Sequence, residues 1–335
     1  MKAKRARRTW FLASLILVLF AAFLVINAPS VTALYYQWRY GPIVDALSVT
    51  PGFTATDRVL VVSPHPDDES LCCAGTIQQA LAAGAEVFIV WLTSGDAFEL
   101  DAVLTERSVR PGGAGLQRLG ERRIGEAKDA AKVLGVPAEN LTFLDYPDGG
   151  LQRMFLDYYT QPYRSTYTGL NQVTYADALS PGSAFTGENL LADLKSVFER
   201  VNPTVVLAPS PEDRHPDHRT AGDLSLRILG ETGSAHKGRW WIVHGGVEWP
   251  LPKGLRPNLP LFPPPRGRGL AWQRVDLTPE QEDVKLNALR AHKTQIDFEP
   301  RFMVAFVRRN ELLSAEPLPA VRVEDAFTKD AVGSE

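Results

Sequence analysis

The sequence predicts an α/β protein with a mostly parallel sheet, helices on both faces, and a hydrophobic helix ahead of it. Three observations lead there. Short β-branched apolar runs alternate along the chain with longer amphipathic stretches, the pattern of β-α units rather than of separate strand and helix blocks. The short runs are continuously apolar, as strands covered on both faces must be. And a basic N-terminus precedes an uninterrupted apolar run from Trp10 to Ile26.

That N-terminal segment comes first. Lys2, Lys4, Arg5, Arg7 and Arg8 flank the run, which is short for a membrane span and long for a signal-peptide core. Residues 1–33 therefore read as a basic flank plus a transmembrane anchor or a signal peptide, with Val31-Thr32-Ala33 as a tolerable cleavage site. The basic flank stays on the cytoplasmic side. The expectation is a single-pass membrane protein with its globular part outside the cytoplasm, or a secreted or periplasmic one after cleavage. Residues 34–56 read as a juxtamembrane linker whose Tyr35, Tyr36, Trp38 and Tyr40 sit at the headgroup level or pack on the domain.

The globular part spans 57–310. Arg58–Val62 is a buried strand, Ser70–Ala83 a helix closed by Gly84, and Glu86–Leu92 a second strand. Leu116–Leu134 is an amphipathic helix stopped by Gly135, Leu141–Leu144 a third strand, and Pro147-Asp148-Gly149 a turn. Glu188–Arg200 is a helix, Thr204–Ala208 a fourth strand, and another helix starts near Pro216. Trp240–Val247 and Ala271–Val275 read as strands, Pro279–Thr294 as a helix with Pro in its first turn, and Phe302–Val307 as a last strand. Insertions near 151–187 and 250–269 are long enough to be lids or binding loops. Residues 311–335 read as a loose polar tail.

Composition narrows the class. A net charge of −3 with no Lys/Arg cluster beyond the N-terminus leaves no expectation of a nucleic-acid partner. The only cysteines, Cys72 and Cys73, cannot build a disulfide framework and are expected to pack in a helix against the sheet.

The chemistry concentrates at two strand ends, where open α/β sheets bind ligands. The first strand runs into Ser63-Pro64-His65-Pro66-Asp67-Asp68-Glu69, the fourth into Pro209-Ser210-Pro211-Glu212-Asp213-Arg214-His215-Pro216-Asp217-His218. Three of the six histidines fall in these loops. Either loop alone reads as a capped helix start; together they read as a divalent-metal site. Imidazole and carboxylate suit zinc, and a catalytic zinc keeps three protein ligands and one open position. His65 and Asp68, three apart, can face one point; one histidine of the second loop completes the set, and its partner faces a substrate. Asp67 or Glu69 is the candidate general base.

Pro64-His65-Pro66-Asp67-Asp68-Glu69 together with His215-Pro216-Asp217-His218 resembles the PIG-L/LmbE-like N-acetylglucosamine deacetylase family. The likeness continues through Arg123-Ile124-Gly125-Glu126-Ala127, Leu134-Gly135-Val136, Pro147-Asp148-Gly149 and Ala291-His292-Lys293-Thr294-Gln295. The resemblance implies a Rossmann-like fold and zinc-dependent hydrolysis of an N-acetylated amino sugar, with another divalent metal as an alternative. It implies His65, Asp68 and His218 as ligands and Asp67 as general base. His215 is then the group that stabilises the oxyanion or protonates the leaving amine, oriented by Asp217, and Arg123 and Asp148 contact the substrate. Glu69 is expected to brace its loop and His292 to be a structural neighbour of the site. His236 and His244 show no ligand spacing. Arg123 alternatively reads as a helix-surface ion pair with Glu126.

Asp213-Arg214 stands where some relatives carry an aromatic residue, and the two insertions are longer than expected for the small thiol-pathway enzymes. Their aromatics (Tyr158, Tyr159, Tyr163, Tyr167, Tyr175, and Trp249 and Trp272 at the flanks) stack on sugars or anchor the loops. Three other functions remain open from the residues. One is a non-haem iron oxygenase, which the β-α alternation argues against. The others are a hydrolase of another bond and a glycan-binding envelope module that keeps the metal site without turnover.

Overall fold

A computed structural model describes residues 2–97, 113–246 and 248–319; for residues 2–9, 11–13 and 23–27 only the backbone is described. Seven strands form one sheet: β1 (Arg58–Ser63), β2 (Glu86–Thr93), β3 (Leu141–Tyr146), β4 (Val205–Pro209), β5 (Gly238–Trp241), β6 (Trp272–Asp276) and β7 (Asn310–Ser314). Their order is β3-β2-β1-β4-β5-β7-β6. The first five in that order are parallel, and β7 runs antiparallel to both β5 and β6.

The apolar runs behave as expected of covered strands. Val59 through Val62 are fully buried, because helices lie on both faces. The helices are α1 (Lys2–Asp45), α2 (Asp68–Ala82), α3 (Gly113–Leu134), α4 (Leu151–Leu156), α5 (Gly187–Val201), α6 (Pro216–Glu231), α7 (Pro279–Ala291), α8 (Lys293–Phe298) and α9 (Pro300–Met303). Thr278 and Gln281 close a capping box that starts α7 at Pro279. The central feature is topological. The chain leaves β1 toward β2 on one side and leaves β4 toward β5 on the other, so the loops after β1 and β4 diverge and open a crevice at the carboxyl edge.

Several expectations are corrected. Phe302–Val307 is helical, α9 followed by a 3-10 turn at Val304–Phe306, not a strand. A short apolar run fits either state, and Pro300 at the first helical position decides it. The last strand lies later, at Asn310–Ser314, inside what reads as a loose tail; every one of its residues is buried. Residues 320–335 of that tail lie outside the described residues. The run Trp240–Val247 keeps strand pairing only to Trp241, and Val247 lies outside the described residues. Cys72 and Cys73 pack in α2 as expected, but they are joined in a disulfide.

The expected linker at 34–56 is helical to Asp45 as the end of α1. Tyr36 and Tyr40 stack on Phe262 of the 250–269 insertion at 5.9 and 3.9 Å between ring centroids. Asp45 pairs with Arg309 at 2.7 Å. Val31, Leu34, Tyr35 and Trp38 of the same helix are exposed. Part of Trp10–Ile26 lies outside the residues described with side chains. Among the described residues no helix is long and apolar enough to cross a membrane.

The insertions are anchored rather than loose. In 151–187, Tyr163 and Tyr175 are buried, and the Tyr175 hydroxyl donates to Asp96 Oδ2 at 2.7 Å. Trp249 and Trp272, buried, donate their indole N–H groups to Phe262 and Gly267 carbonyls. Of these insertion aromatics only Tyr167 lines the main cleft.

Candidate active site at the carboxyl edge

The loops after β1 and β4 meet in a cleft of about 610 Å³, a usual size for a small-molecule site. His65, Asp67, Asp68, Arg123, Asp148 and His215 line it, together with His244, Gln295, Phe302 and Met303. A second cleft of about 410 Å³ lies between α5 and α6. It sits at the opposite, amino edge of the sheet, bordered by Asn202, Pro203 and Lys237, and carries no histidine.

Three atoms define the centre of the main cleft. His65 Nδ1 to Asp68 Oδ2, His218 Nε2 to Asp68 Oδ2, and His218 Nε2 to His65 Nδ1 are each 3.2 Å. A tetrahedral ion with bonds of about 2.0–2.1 Å spaces its ligand atoms roughly 3.3 Å apart. The triangle is therefore the right size for one divalent ion, and its donor types suit zinc. His215 lies close as well, offering a ring nitrogen within 4.8 Å of those of His65 and His218. The His215 imidazole packs T-shaped against that of His65, 4.7 Å between ring centroids.

Each imidazole of the triangle has a carboxylate at its other nitrogen. His65 Nε2 lies 3.1 Å from Asp148 Oδ1, and His218 Nδ1 lies 3.3 Å from Asp213 Oδ2. The second contact is off the line of a hydrogen bond, so it counts as charge pairing. Such partners orient metal-binding histidines and raise their basicity. Burial alone would lower the His218 pKa, but Asp68 and Asp213 raise it to about 9. The two carboxylates thus favour the positively charged form of this buried imidazole.

The local backbone explains the first loop. Asp67 has φ 131°, a region that costs a non-glycine residue energy and that surrounding contacts must enforce. Arg123 supplies two of them: its guanidinium, itself anchored on Gly95 O at 2.8 Å, donates to Pro66 O at 2.8 Å and to Asp67 Oδ2 at 3.3 Å. Glu69 supplies a third, accepting from Asp67 N at 3.1 Å. Glu69 is in turn held by Trp91 Nε1 and by His292 Nε2, at 2.9 and 2.8 Å. Glu69 braces and His292 supports, as expected. The other Asp67 oxygen, Oδ1, has no hydrogen-bond partner among the described residues. Burial pushes the Asp67 carboxyl up to about 7 against the pull of Arg123.

The second loop turns into α6, with His215 as its cap. His215 Nδ1 accepts the Asp217 backbone N–H at 3.3 Å. An accepting Nδ1 leaves the proton of the neutral ring on Nε2. Burial, then the charge of His65 and of His218, pushes the His215 pKa down to about 3. Asp217 thus orients His215 through its backbone N–H, while its carboxylate makes no hydrogen bond to that ring and lies 3.4 Å from His65 Nε2. It accepts Gly149 N at 2.7 Å and Leu151 N at 3.1 Å, so it ties α6 to the Pro147–Gly149 turn. Asp148 is similarly engaged: besides His65, it accepts from Ala97 N at 3.1 Å. Arg123 is buried on the loop, and Glu126 accepts from Thr294 instead of pairing with it.

Two site residues escaped sequence reasoning. Asp213 also accepts from Val243 N, His244 N and His215 N, so one carboxylate joins the loop after β4 to the chain leaving β5. His244 packs 4.7 Å from His218. Its signal was present: it ends an apolar run at a strand's carboxyl end, as His65 does.

The fold and site define a class, that of α/β proteins with a buried histidine–carboxylate cluster at the topological switch point. More narrowly, residues 60–229 match the PIG-L family, described as GlcNAc-PI de-N-acetylase, and the chain belongs to that family. It is 31% identical to a 1D-myo-inositol 2-acetamido-2-deoxy-alpha-D-glucopyranoside deacetylase of Mycobacteroides abscessus, over 72% of this chain and 82% of that protein. It is 26% identical to a diacetylchitobiose deacetylase of Thermococcus kodakarensis, over 58% of this chain and 57% of that one. Among solved structures, the N,N'-diacetylchitobiose deacetylase of Pyrococcus horikoshii matches with a TM-score of 0.48 and 19% identity, covering 77% of this chain and 83% of that one.

Proposed function

We propose that the protein is a divalent-metal-dependent amidase, most simply a zinc enzyme, that removes the acetyl group from an N-acetylated amino sugar. The observation that carries this is the 3.2 Å triangle of His65 Nδ1, Asp68 Oδ2 and His218 Nε2, set beside the Asp67 carboxylate, whose Oδ1 makes no hydrogen bond among the described residues. Membership of the family supports it, as do the deacetylase names of its relatives.

His65, Asp68 and His218 would hold the ion, which when bound activates water and polarises an acetamide carbonyl. Asp67 takes the water's proton on Oδ1 while Arg123 fixes Oδ2, and it later passes that proton to the leaving amine. Neutral His215 donates its Nε2–H to the developing oxyanion, a role its low pKa and its accepting Nδ1 favour over that of a general acid. Asp148 and Asp213 orient the two ligand imidazoles, and Asp217 holds the turn that carries Asp148. Gly149 and Tyr167 border the space left for the sugar ring.

We further propose that α1 anchors the protein in a membrane with the cleft outside the cytoplasm. The apolar Trp10–Ile26 run behind a basic flank supports this, as does the exposed face of Val31, Leu34, Tyr35 and Trp38 beyond it. A signal peptide cleaved after export is the alternative. Fractionation of the full chain from its host separates them: carbonate-resistant membrane association with residues 1–33 intact supports the anchor, and a soluble shortened chain removes it.

The activity is tested by an acetate-release screen of N-acetylglucosaminides (phosphatidylinositol-linked, thiol-linked and polysaccharide), with metal content measured on the same sample. Acetate released in proportion to bound metal is expected. Bound sugar with no acetate from any substrate indicates a binding module instead.

A further inference from the structure

The chain leaving β5 brings one histidine to the wall of the main cleft with no hydrogen bond on its ring. His65 and His218 belong to the triangle, His215 accepts Asp217 N, and His292 is held by Glu69. His236 is exposed on the turn before β5. His244 lines the cleft, half-buried, and its ring nitrogens make no hydrogen bond among the described residues.

Its placement is fixed from both sides. Asp213 Oδ2 accepts Val243 N and His244 N at 2.9 and 3.0 Å, and Arg214 N donates to His244 O at 3.1 Å. Just beyond, Arg266 N donates to Gly245 O at 3.0 Å. Gly245 has no room for a side chain, since a Cβ there would lie 2.3 Å from Pro264, and Gly246 takes φ 121° as the chain turns away. The ring is confined as well. Phe302 stacks on it at 12°, 6.4 Å between centroids, and the rings of His218 and His215 lie 4.7 and 5.2 Å from it. An imidazole carries at least one N–H in either tautomer. Held beside His215 at the cleft wall, with no acceptor on the chain, that donor is left to the substrate.

A second ion is the rival use of this ring, because Asp213, His218 and His244 each offer a ligand atom within 4.8 Å of the others. The state of Asp213 argues against it. Its two oxygens already accept three backbone N–H groups, those of His215, Val243 and His244. His218 Nε2 is likewise turned to the triangle.

We propose that His244 is a catalytic residue that donates an N–H, together with His215, to the oxyanion formed when water adds to the acetamide carbonyl. This rests on the amidase reading above and deepens it. Two rings whose centroids stand 5.2 Å apart can both donate to one oxygen held between them at about 2.9 Å. Donors fixed in advance stabilise charge as it develops and do little for the neutral carbonyl. Removing one should therefore lower kcat and leave KM nearly as it was.

The test uses full-length, metal-loaded wild type, His244→Phe and His244→Gln, with metal content measured on each. The substrate is whichever N-acetylglucosaminide of the acetate-release screen the wild type hydrolyses fastest. His244→Phe should keep its metal, keep KM within ~3-fold and lose kcat by about 10²-fold. His244→Gln, which restores a side-chain N–H, should recover about tenfold or more of that loss. Calorimetry supplies a readout without turnover. The methylphosphonamidate of methyl glucosaminide carries a tetrahedral anionic group in place of the acetyl carbonyl. His244→Phe should bind it about tenfold or more weakly, while Kd for methyl glucosaminide itself changes by less than ~3-fold. If the larger ring prevents folding, His244→Leu makes the same comparison.

Loss of metal from either variant makes His244 a ligand and overturns the assignment. So does a kcat kept within ~3-fold, a loss confined to KM, or equal weakening of the phosphonamidate and the amine. A wild type that releases acetate from no substrate of the screen overturns the amidase reading itself, and the role of His244 with it.

Discussion

Helix α2 meets a buried charged cluster at its start and another at its middle, and the two are built to opposite rules. At its middle, Lys285 and Glu311 are each wholly buried, and each is satisfied by the chain itself. Lys285 donates to Glu311 Oε1 at 2.7 Å and Leu71 O at 2.8 Å; Glu311 accepts Gly75 N, Thr76 N and Thr76 Oγ1 at 2.7–2.8 Å. At its N-terminus, His65 Nδ1, Asp68 Oδ2 and His218 Nε2 crowd to 3.2 Å of one another, with the carboxylates Asp148 and Asp213 turned toward the two imidazoles. The first cluster closes on itself. The second, on the function proposed above, would close around a metal ion. Burial of charge, even complete burial, therefore does not mark function. An arrangement whose charges converge on a point the chain leaves to something else does.

The largest effects test that second cluster. His65→Ala or His218→Ala should abolish bound metal and acetate release together. Asp67→Ala should keep its metal and lose turnover by about 10²–10⁴-fold, the usual contribution of a general base. Metal analysis beside kinetics checks both, and equal metal loss in all three variants breaks the division of roles.

The self-satisfied cluster should fail differently. Lys285→Met strands a buried carboxylate and should cost about 3–5 kcal/mol in urea unfolding, while activity per folded molecule is kept. A cost under ~1 kcal/mol, or a selective loss of activity, breaks the contrast. Asp213→Asn should sit between the two: a stable protein whose metal affinity falls roughly 10–100-fold, read by chelator competition.

The smallest effect concerns a carboxyl that belongs to neither cluster. Asp145 is buried with both oxygens unpartnered, and burial, then Asp96 and Asp177, pushes its pKa up to about 8. A carboxyl raised in the fold stabilises most below its unfolded value near ~4 and loses that contribution as pH rises through about 8. Wild type should therefore lose stability between pH 5 and 8, at roughly 1.4 kcal/mol per pH unit at most. Asp145→Asn, which also suits the positive φ of 57° there, should flatten that slope. Parallel melting curves for the two proteins across this range dispose of the idea.

The first loop was legible in the chain because its parts are local. A strand, a turn and a helix start place His65, Asp67 and Asp68 within four residues, and the strand's apolar run marks which end is the ligand edge. The parallel order was legible for the same reason. What was misread depends on partners distant in sequence. Glu311 looked like the start of a polar tail because its partner, Lys285, stands on another helix. Asp217 looked like a partner for the histidine beside it, but its carboxylate turns to Gly149 and Leu151. Asp213 had no visible role, since the strand end that its carboxylate joins is thirty residues on.

The sequence alone, then, determined the period of the elements, the two ligand-bearing loops and the kinds of donor they carry, because these are properties of residues close along the chain. Tertiary structure alone decided which nitrogen faces which oxygen, that β1 and β4 are neighbours at the switch point, and that His244 stands beside His215 at the cleft wall. Coordination, charge pairing and desolvation act through space over a few ångströms, and no spacing along a chain fixes that distance until the sheet has brought its strands side by side.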